Sequence, residues 1–140
     1  MKYQRFMKSS IIKVVFLLLI LSPPLNAKPD QTFKDIVNYS ASIDGFSSMC
    51  VKNYNDDEEQ MKLFNLLSEI KNTYMLITND DYEKLKSIYI KTKSATITQL
   101  LKLKLNVRKN NCMNYVKIFD RFDKKKSEKL KELEKLIENY

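Results

Sequence analysis

Glycine and proline are almost absent from this chain of 140 residues, and their scarcity limits the folds open to it. Gly45 is the only glycine, and the three prolines all lie at or before Pro29. Tight hairpin turns need residues with positive φ, which glycine adopts most easily, and no proline after Pro29 interrupts a helix. We therefore predict an all-α fold, a small helical bundle of about four to five helices.

The first 27 residues have the layout of a secretory signal peptide. Three basic residues precede an apolar run over 11–21, which a single lysine interrupts, and this order is typical of an export signal. The uninterrupted apolar stretch, 14–21, is eight residues long, whereas a helix needs roughly 20 apolar residues to span a hydrocarbon core. We therefore expect no stable membrane anchor once the signal has been cleaved.

The predicted cleavage point lies after Ala27. Pro23 and Pro24 break the apolar helix, and Ala27 provides the small side chain that a signal peptidase requires. An uncleaved N-terminal anchor is the alternative. Cleavage would leave residues 28–140 as a single helical domain of 113 residues, located in the periplasm if the source is bacterial and outside the cell otherwise.

Removal of the signal also halves the net charge. The whole chain carries +8, but the signal holds four basic residues and no acid, so residues 28–140 carry +4. A mild positive charge favours acidic proteins or anionic envelope surfaces as partners. Because half of the basicity belongs to the targeting segment, we expect no nucleic-acid partner.

The two cysteines, Cys50 and Cys112, both lie in the predicted mature chain. An exported protein meets an oxidising compartment, so a Cys50–Cys112 disulfide is the default interpretation. Closing a loop of that length disfavours the unfolded state by roughly 4 kcal/mol in the chain-entropy model. The alternative is two separate buried thiols.

Helical periodicity places the first two helices. The first begins at Pro29, and we expect Gly45 to divide it. Its apolar residues, which fall near one face, are Phe33, Ile36, Val37, Ile43, Cys50, Val51 and Tyr54. A second helix is predicted over 56–77, because Asn55 with Glu58, and the overlapping pair of Asp56 with Glu59, have capping-box spacing. Its apolar residues recur at helical intervals: Leu63, Phe64, Leu67, Ile70, Tyr74 and Ile77.

The second half of the chain is harder to divide into helices. A capping box of Asp80 and Glu83 predicts the start of a third helix, which carries Tyr82, Leu85, Ile88 and Tyr89. Residues 96–107 alternate as a half-buried strand would, but a lone strand would have no partner, and we choose a helix. One helical stripe there comprises Ile97, Leu101, Leu105, Cys112, Val116 and Phe119. We expect a break at 106–111 and then a long last helix from Cys112.

Familiar catalytic and cofactor motifs are absent from the sequence. The chain has no histidine, which excludes Ser-His-Asp and Cys-His nucleophile pairs and His-ligated zinc. A single glycine cannot form a P-loop or a dinucleotide fingerprint. The acidic clusters at 56–59 and 80–83 lie at predicted helix starts, where negative side chains cap free N–H groups. We therefore predict no catalytic, cofactor-binding or metal-binding residue.

Candidate partner-binding residues come from two basic clusters and an apolar stripe. They are Lys102, Lys104, Arg108, Lys109, Arg121, Lys124, Lys125, Lys126, Leu130, Leu133 and Ile137. The basic clusters are typical of a solvated helix face, and their functional interpretation is contact with an acidic protein or an anionic envelope polymer. The C-terminal stripe either packs on the protein's own bundle or serves a partner or a second copy.

Three function classes are compatible with this sequence. The leading hypothesis is an exported, non-enzymatic binding protein, of the inhibitor or immunity type, that neutralises another protein. The alternative is a structural or assembly factor, or a chaperone, of a cell-envelope or secretion apparatus that self-associates through its C-terminal helix. The third is an enzyme that uses carboxylates alone.

Overall fold

The computed structural model describes residues 29–139, so the predicted signal peptide lies outside the described residues. These residues form five helices and no strand. The helices are α1 (Pro29–Cys50), α2 (Asp56–Tyr74), α3 (Asn79–Lys102), α4 (Leu105–Met113) and α5 (Tyr115–Glu138). The prediction of an all-α bundle is confirmed. Within 29–139, no helix has the length and apolar character needed to cross a membrane.

Helix α1 is the central helix of the bundle. It packs extensively against α3 and α5 and more locally against α2 and α4. Its apolar residues recur at helical spacing, so that one side is almost fully buried. The core comprises Phe33, Ile36, Val37, Ala41, Leu63, Phe64, Leu67, Ile70, Ile77, Leu85, Tyr89 and Leu133. The apolar patterns of the first three predicted helices therefore identified most of the core.

Gly45 does not divide the first helix, and that prediction was wrong. Helix α1 runs unbroken from Pro29 to Cys50. A Cβ atom at Gly45 would lie 2.9 Å from the Cβ of Thr96 and 3.1 Å from the carbonyl oxygen of Lys93. Glycine is needed at this position because α1 and α3 cross there with too little space for a side chain.

Helices α1 and α2 end earlier than predicted. Asn53 and Met75, which follow their last turns, have left-handed backbone with φ of 58° and 54°. Asparagine adopts this conformation more readily than most residues. Ile77 was expected inside the second helix and lies beyond its end, yet its side chain is buried in the core. The apolar pattern located the residue in the core without locating the end of the helix.

The N-cap of helix α3 lies two residues before the predicted one. It is Thr78, whose Oγ1 accepts a hydrogen bond from the backbone N–H of Asp81 at 3.1 Å and donates one to Oδ2 of Asp81 at 2.7 Å. The prediction of a box formed by Asp80 and Glu83 was therefore wrong. Thr78 and Asp81 have the same spacing and make the cap.

The break between the third helix and the rest of the chain is earlier and shorter than predicted. It lies at Leu103 and Lys104, which have extended backbone, and not at 106–111, which belongs to α4. A turn at Asn114 then separates α4 from α5, so the last helix begins at Tyr115. The helical interpretation of 96–107 is correct apart from the two extended residues.

The predicted disulfide is present. Cys50 at the end of α1 is bonded to Cys112 in α4, with the Cα atoms 5.1 Å apart, and the described residues hold no free cysteine. Helix α4 has no buried residue. Because it contributes nothing to the core, the disulfide is its firmest attachment to the bundle.

Candidate functional site

The carboxylate of Asp44, in α1, is the most buried charged group. Its Oδ2 atom accepts a hydrogen bond from the Tyr89 hydroxyl at 2.6 Å and lies 2.9 Å from Nζ of Lys93. Both partners belong to α3. A buried carboxylate is tolerated when it is paired and hydrogen-bonded, so this cluster joins the two central helices.

The hydroxyl of Tyr54 is buried near the same carboxylate without forming a hydrogen bond to it. It lacks a hydrogen-bond partner within 29–139, as do Oδ1 of Asp44 and the hydroxyl of Ser40. Burial and then the charge of Asp44 raise the pKa of Tyr54 well above its ordinary value. Burial and the hydrogen bond to Asp44 raise the pKa of Tyr89 in the same way. Asp44 and Tyr89 are fully buried, so the cluster is structural and offers no surface to a substrate.

The acidic residues at the helix starts are engaged with neighbouring side chains. Glu58 pairs with Lys62 at 2.6 Å, and this contact lowers the pKa of Glu58. The Thr78 hydroxyl lowers the pKa of Asp81. Within 29–139, no group of three or more His, Cys, Asp or Glu residues could hold a metal ion. These contacts support the interpretation of the acids as caps and surface pairs.

The C-terminal apolar stripe packs on the protein's own bundle. Leu133 is 2 % exposed and belongs to the core, and Leu130 and Ile137 pack against that core half-buried. Of the two interpretations of the stripe, packing within the bundle is correct. The assignment of Leu133 to a partner-binding surface was wrong, because its side chain is already covered.

The basic cluster at the start of the same helix is partly used within the molecule. Lys126 lies 3.6 Å from Glu59 of α2, and Nζ of Lys125 lies 5.8 Å from the centre of the Tyr39 ring in α1. Arg121 and Lys124 are exposed. Two of these four predicted binding residues therefore help to hold α5 against the bundle.

The other basic cluster lies in a long stretch without acids. Residues 84–119 contain nine Lys and Arg residues and no Asp or Glu. Lys102, Lys104 and Lys109 are exposed, Arg108 is half-buried, and none of the four forms an ion pair within the described residues. Basic charge is thus concentrated along this stretch of the chain, and these four predicted binding residues are available to an outside partner.

Large apolar side chains are exposed around this basic cluster. They are Leu101, Leu103, Leu105, Val107, Met113 and Val116, of which Met113 is 82 % and Val116 66 % exposed. The basic residues among them are Lys102, Lys104, Arg108, Lys109 and Lys117. We call these eleven residues the α3–α4 corner. Of the predicted helical stripe, Leu101, Leu105 and Val116 are exposed, whereas Ile97, Cys112 and Phe119 are half-buried.

A shallow groove runs along the outer face of α3. Its first part, of about 360 Å³, lies between α2 and α3 and is lined by Gln60, Met61, Phe64, Asn65, Lys86 and Ile90. Its second part, of about 480 Å³, is an open face of α3 alone, lined by Ile90, Lys91, Ser94, Ala95, Thr98, Gln99 and Lys102. Ile90 lines both parts, which therefore adjoin. We call the two parts together the α3 groove.

The α3 groove combines an apolar surface with positive charge. Ile90 is 60 % and Met61 59 % exposed, although side chains of this kind are usually covered. The basic residues along it are Lys86, Lys91 and Lys102, and none of the lining side chains is acidic.

Sequence reasoning identified Lys102 and overlooked the rest of the groove. One signal was available, because the acid-free run of 84–119 covers most of α3 and all of α4. The sequence did not indicate that Met61 and Ile90 are exposed, because apolar residues on a helix are ordinarily assigned to the core.

Comparisons with protein-family models, with curated proteins and with solved structures found no match.

Proposed function

We propose that this chain is an exported, non-enzymatic binding protein that holds or blocks another protein through its α3 groove. The observation that carries the proposal is the exposure of Met61 and Ile90 on a groove whose charged side chains are all basic. A contiguous apolar patch exposed on a folded protein is one mark of an interaction site, and we propose that Met61 and Ile90 belong to such a patch. The disulfide supports an oxidising, exported location.

The dimensions of the groove favour a helical partner segment. From Lys86 to Lys102 the groove follows α3 for about 24 Å, the length of a helix of roughly 16 residues. Ser94, Ala95 and Thr98 are small and let a second helix approach closely. The groove therefore fits the apolar face of an amphipathic helix.

The charge of the groove indicates that the partner segment is acidic. Lys91 and Lys102 are exposed and have no acidic neighbour in the described structure, whereas Lys86 is paired with Glu83 at 3.1 Å. Acidic side chains flanking the partner's apolar face would meet these lysines, which speeds association and fixes orientation. An inhibitor or immunity-type protein that neutralises an acidic target is the class that fits.

Affinity capture with matched variants tests the proposal. The wild-type protein and its Ile90→Glu variant are immobilised and exposed to the native envelope fraction at low and high salt. We expect the wild type to retain an acidic protein that Ile90→Glu does not retain, because the new carboxylate disrupts the apolar surface and repels an acidic partner. High salt should weaken the retention by screening the lysines.

Met75→Glu is the matched control for this capture. Met75 is 82 % exposed and lies between α2 and α3, outside the groove lining. It should capture the same protein as the wild type. Equal capture by all three proteins, or capture of nothing, would contradict binding through the groove.

A further inference from the structure

The α3–α4 corner is a second surface, which shares only Lys102 with the α3 groove. We propose that this corner docks the protein onto anionic lipid headgroups at a membrane surface. The proposal does not depend on a partner in the groove. It rests on apolar side chains that the fold leaves uncovered, on their alternation with lysine, and on the absence of acids.

The apolar side chains of the corner contribute little to the fold. A surface helix normally buries one apolar face against its own protein, but α4 has no buried residue. Leu101 and Leu105, on either side of the break, are both more than half exposed. The disulfide from Cys50 to Cys112 holds α4 at the end of α1 in place of a packed face. Nothing within residues 29–139 covers these side chains, so among the described residues they stay in contact with water until another surface binds them.

The alternation of leucine and lysine distinguishes a lipid surface from a protein interface. Residues 101–105 read Leu-Lys-Leu-Lys-Leu, and all five are exposed. The centre of a protein interface is depleted in lysine, because the amine would have to give up its water. At a membrane surface leucine enters the boundary between headgroups and acyl chains, while lysine extends its amine to the lipid phosphates. Neighbouring leucine and lysine side chains can then each contact the part of the lipid that suits them.

The composition of the corner agrees with this distinction. Its apolar residues are Leu, Val and Met, and its charged residues are Lys and Arg. Apolar side chains beside Lys and Arg are typical of surfaces that bind at a membrane interface.

The charge of the corner favours anionic over neutral lipids. Its five basic residues have no acidic neighbour in sequence closer than Asp120, and the preceding acid is Glu83. Clusters of four to eight Lys and Arg beside an apolar element bind anionic headgroups. Because Lys102 also lines the groove, docking would place that end of the groove next to the membrane.

Fluorescence from the corner itself tests the proposal. A fluorescent amino acid whose emission depends on its environment replaces Leu105 in the full protein purified from the producing cells. Vesicles are then added, made either of phosphatidylcholine with phosphatidylglycerol or of phosphatidylcholine alone. We expect a blue shift with the anionic vesicles, because position 105 leaves water. The same label at Glu134, an exposed position of α5, should show none.

Charge reversal tests the role of the lysines. K102E/K104E should lower the affinity for anionic vesicles by at least about tenfold, since each basic residue near the surface contributes to attraction. The matched control R121E/K124E, at two exposed positions of α5, has the same net charge, and its affinity should fall by less than about threefold. Ile90→Glu should bind vesicles as the wild type does, so that failure of the groove proposal and failure of this one are distinguishable.

Three results would overturn the proposal. The first is the absence of a blue shift at position 105 with anionic vesicles. The second is an equal loss of vesicle affinity in the two charge-reversal variants, which would indicate general attraction without a docking face. The third is unchanged vesicle affinity in K102E/K104E, which would show that these lysines do not contact the lipid.

Discussion

Gly45 of α1 and Thr96 of α3 are in contact at the crossing of the two helices, where a Cβ on Gly45 would lie 2.9 Å from that of Thr96. We expect Gly45→Ala to lower the free energy of unfolding by up to about 2 kcal/mol. Overpacking costs about 1–3 kcal/mol, and alanine recovers only part of that through a helix propensity about 1 kcal/mol better than that of glycine. Urea denaturation followed by circular dichroism measures the difference.

Ser127→Ala, at an exposed position of α5, is the control and should change stability by less than about 0.5 kcal/mol. Helix propensity alone predicts that Gly45→Ala stabilises the protein. That result would contradict the close approach of α1 and α3 at Gly45.

The buried pair of Asp44 and Lys93 predicts strong coupling between two substitutions. Lys93→Met should cost about 3–5 kcal/mol, because it leaves the carboxylate of Asp44 buried with only the Tyr89 hydroxyl as partner. Adding Asp44→Asn removes the buried charge and should restore about 1 kcal/mol or more. Chemical denaturation of the two single variants and the double variant gives the coupling energy. Additive effects would mean that the pair is not coupled.

Removal of the disulfide should affect α4 first. Cys50→Ser with Cys112→Ser should cost about 4 kcal/mol in the chain-entropy model. Hydrogen exchange should rise more for the amides of 105–113 than for those of α1, because α4 has no buried residue and α1 is central. Equal acceleration in both helices would show that α4 is held by more than the disulfide.

Leu133 and Val116 belong to the same helix, but replacing each with alanine should change the stability of the protein by very different amounts. Leu133→Ala should cost about 2–5 kcal/mol, since its side chain is in the core. Val116→Ala should change stability by less than about 0.5 kcal/mol, since the side chain is 66 % exposed. Thermal unfolding of both variants compares them. A small effect at Leu133 would mean that the C-terminal stripe is not packed on the bundle and is available to a partner.

The cap of α3 predicts a stability difference that depends on pH. The Thr78 hydroxyl lowers the pKa of Asp81, so the stability that this contact confers is present above the unfolded pKa, near 3.9. It is lost as the pH falls through the lower folded pKa. Thr78→Ala should therefore cost about 1 kcal/mol near neutral pH and less in strong acid. Unfolding curves at both pH values test this, and a penalty that grew in acid would contradict it.

The sequence predicted those features that depend on the local spacing of apolar residues or on the oxidising compartment that an exported protein meets. Apolar periodicity located core residues such as Phe33 and Leu67, and the expected oxidising location led to the Cys50–Cys112 pair. Helix ends were harder to place. The break at Leu103 and Lys104 has no glycine or proline to mark it, and the cap of α3 is made by Thr78 although Asp80 and Glu83 have capping-box spacing.

Features that depend on how the helices cross could not be predicted. The role of Gly45 depends on the approach of Thr96, which lies 51 positions away in the chain. The exposure of Leu101 and Ile90 follows from which face of α3 meets α1, whereas periodicity alone assigns such residues to a core. The acid-free run of 84–119 was visible in the sequence and is the signal that points to both surfaces.

Protein binding along the α3 groove is tested most directly by a photo-activatable amino acid at position 90 of the protein in its native envelope. Irradiation should cross-link position 90 to an acidic protein, and the same residue at position 134, on the exposed side of α5, should give no such product. Cross-linking of the same protein from both positions, or from neither, would contradict a binding site in the groove.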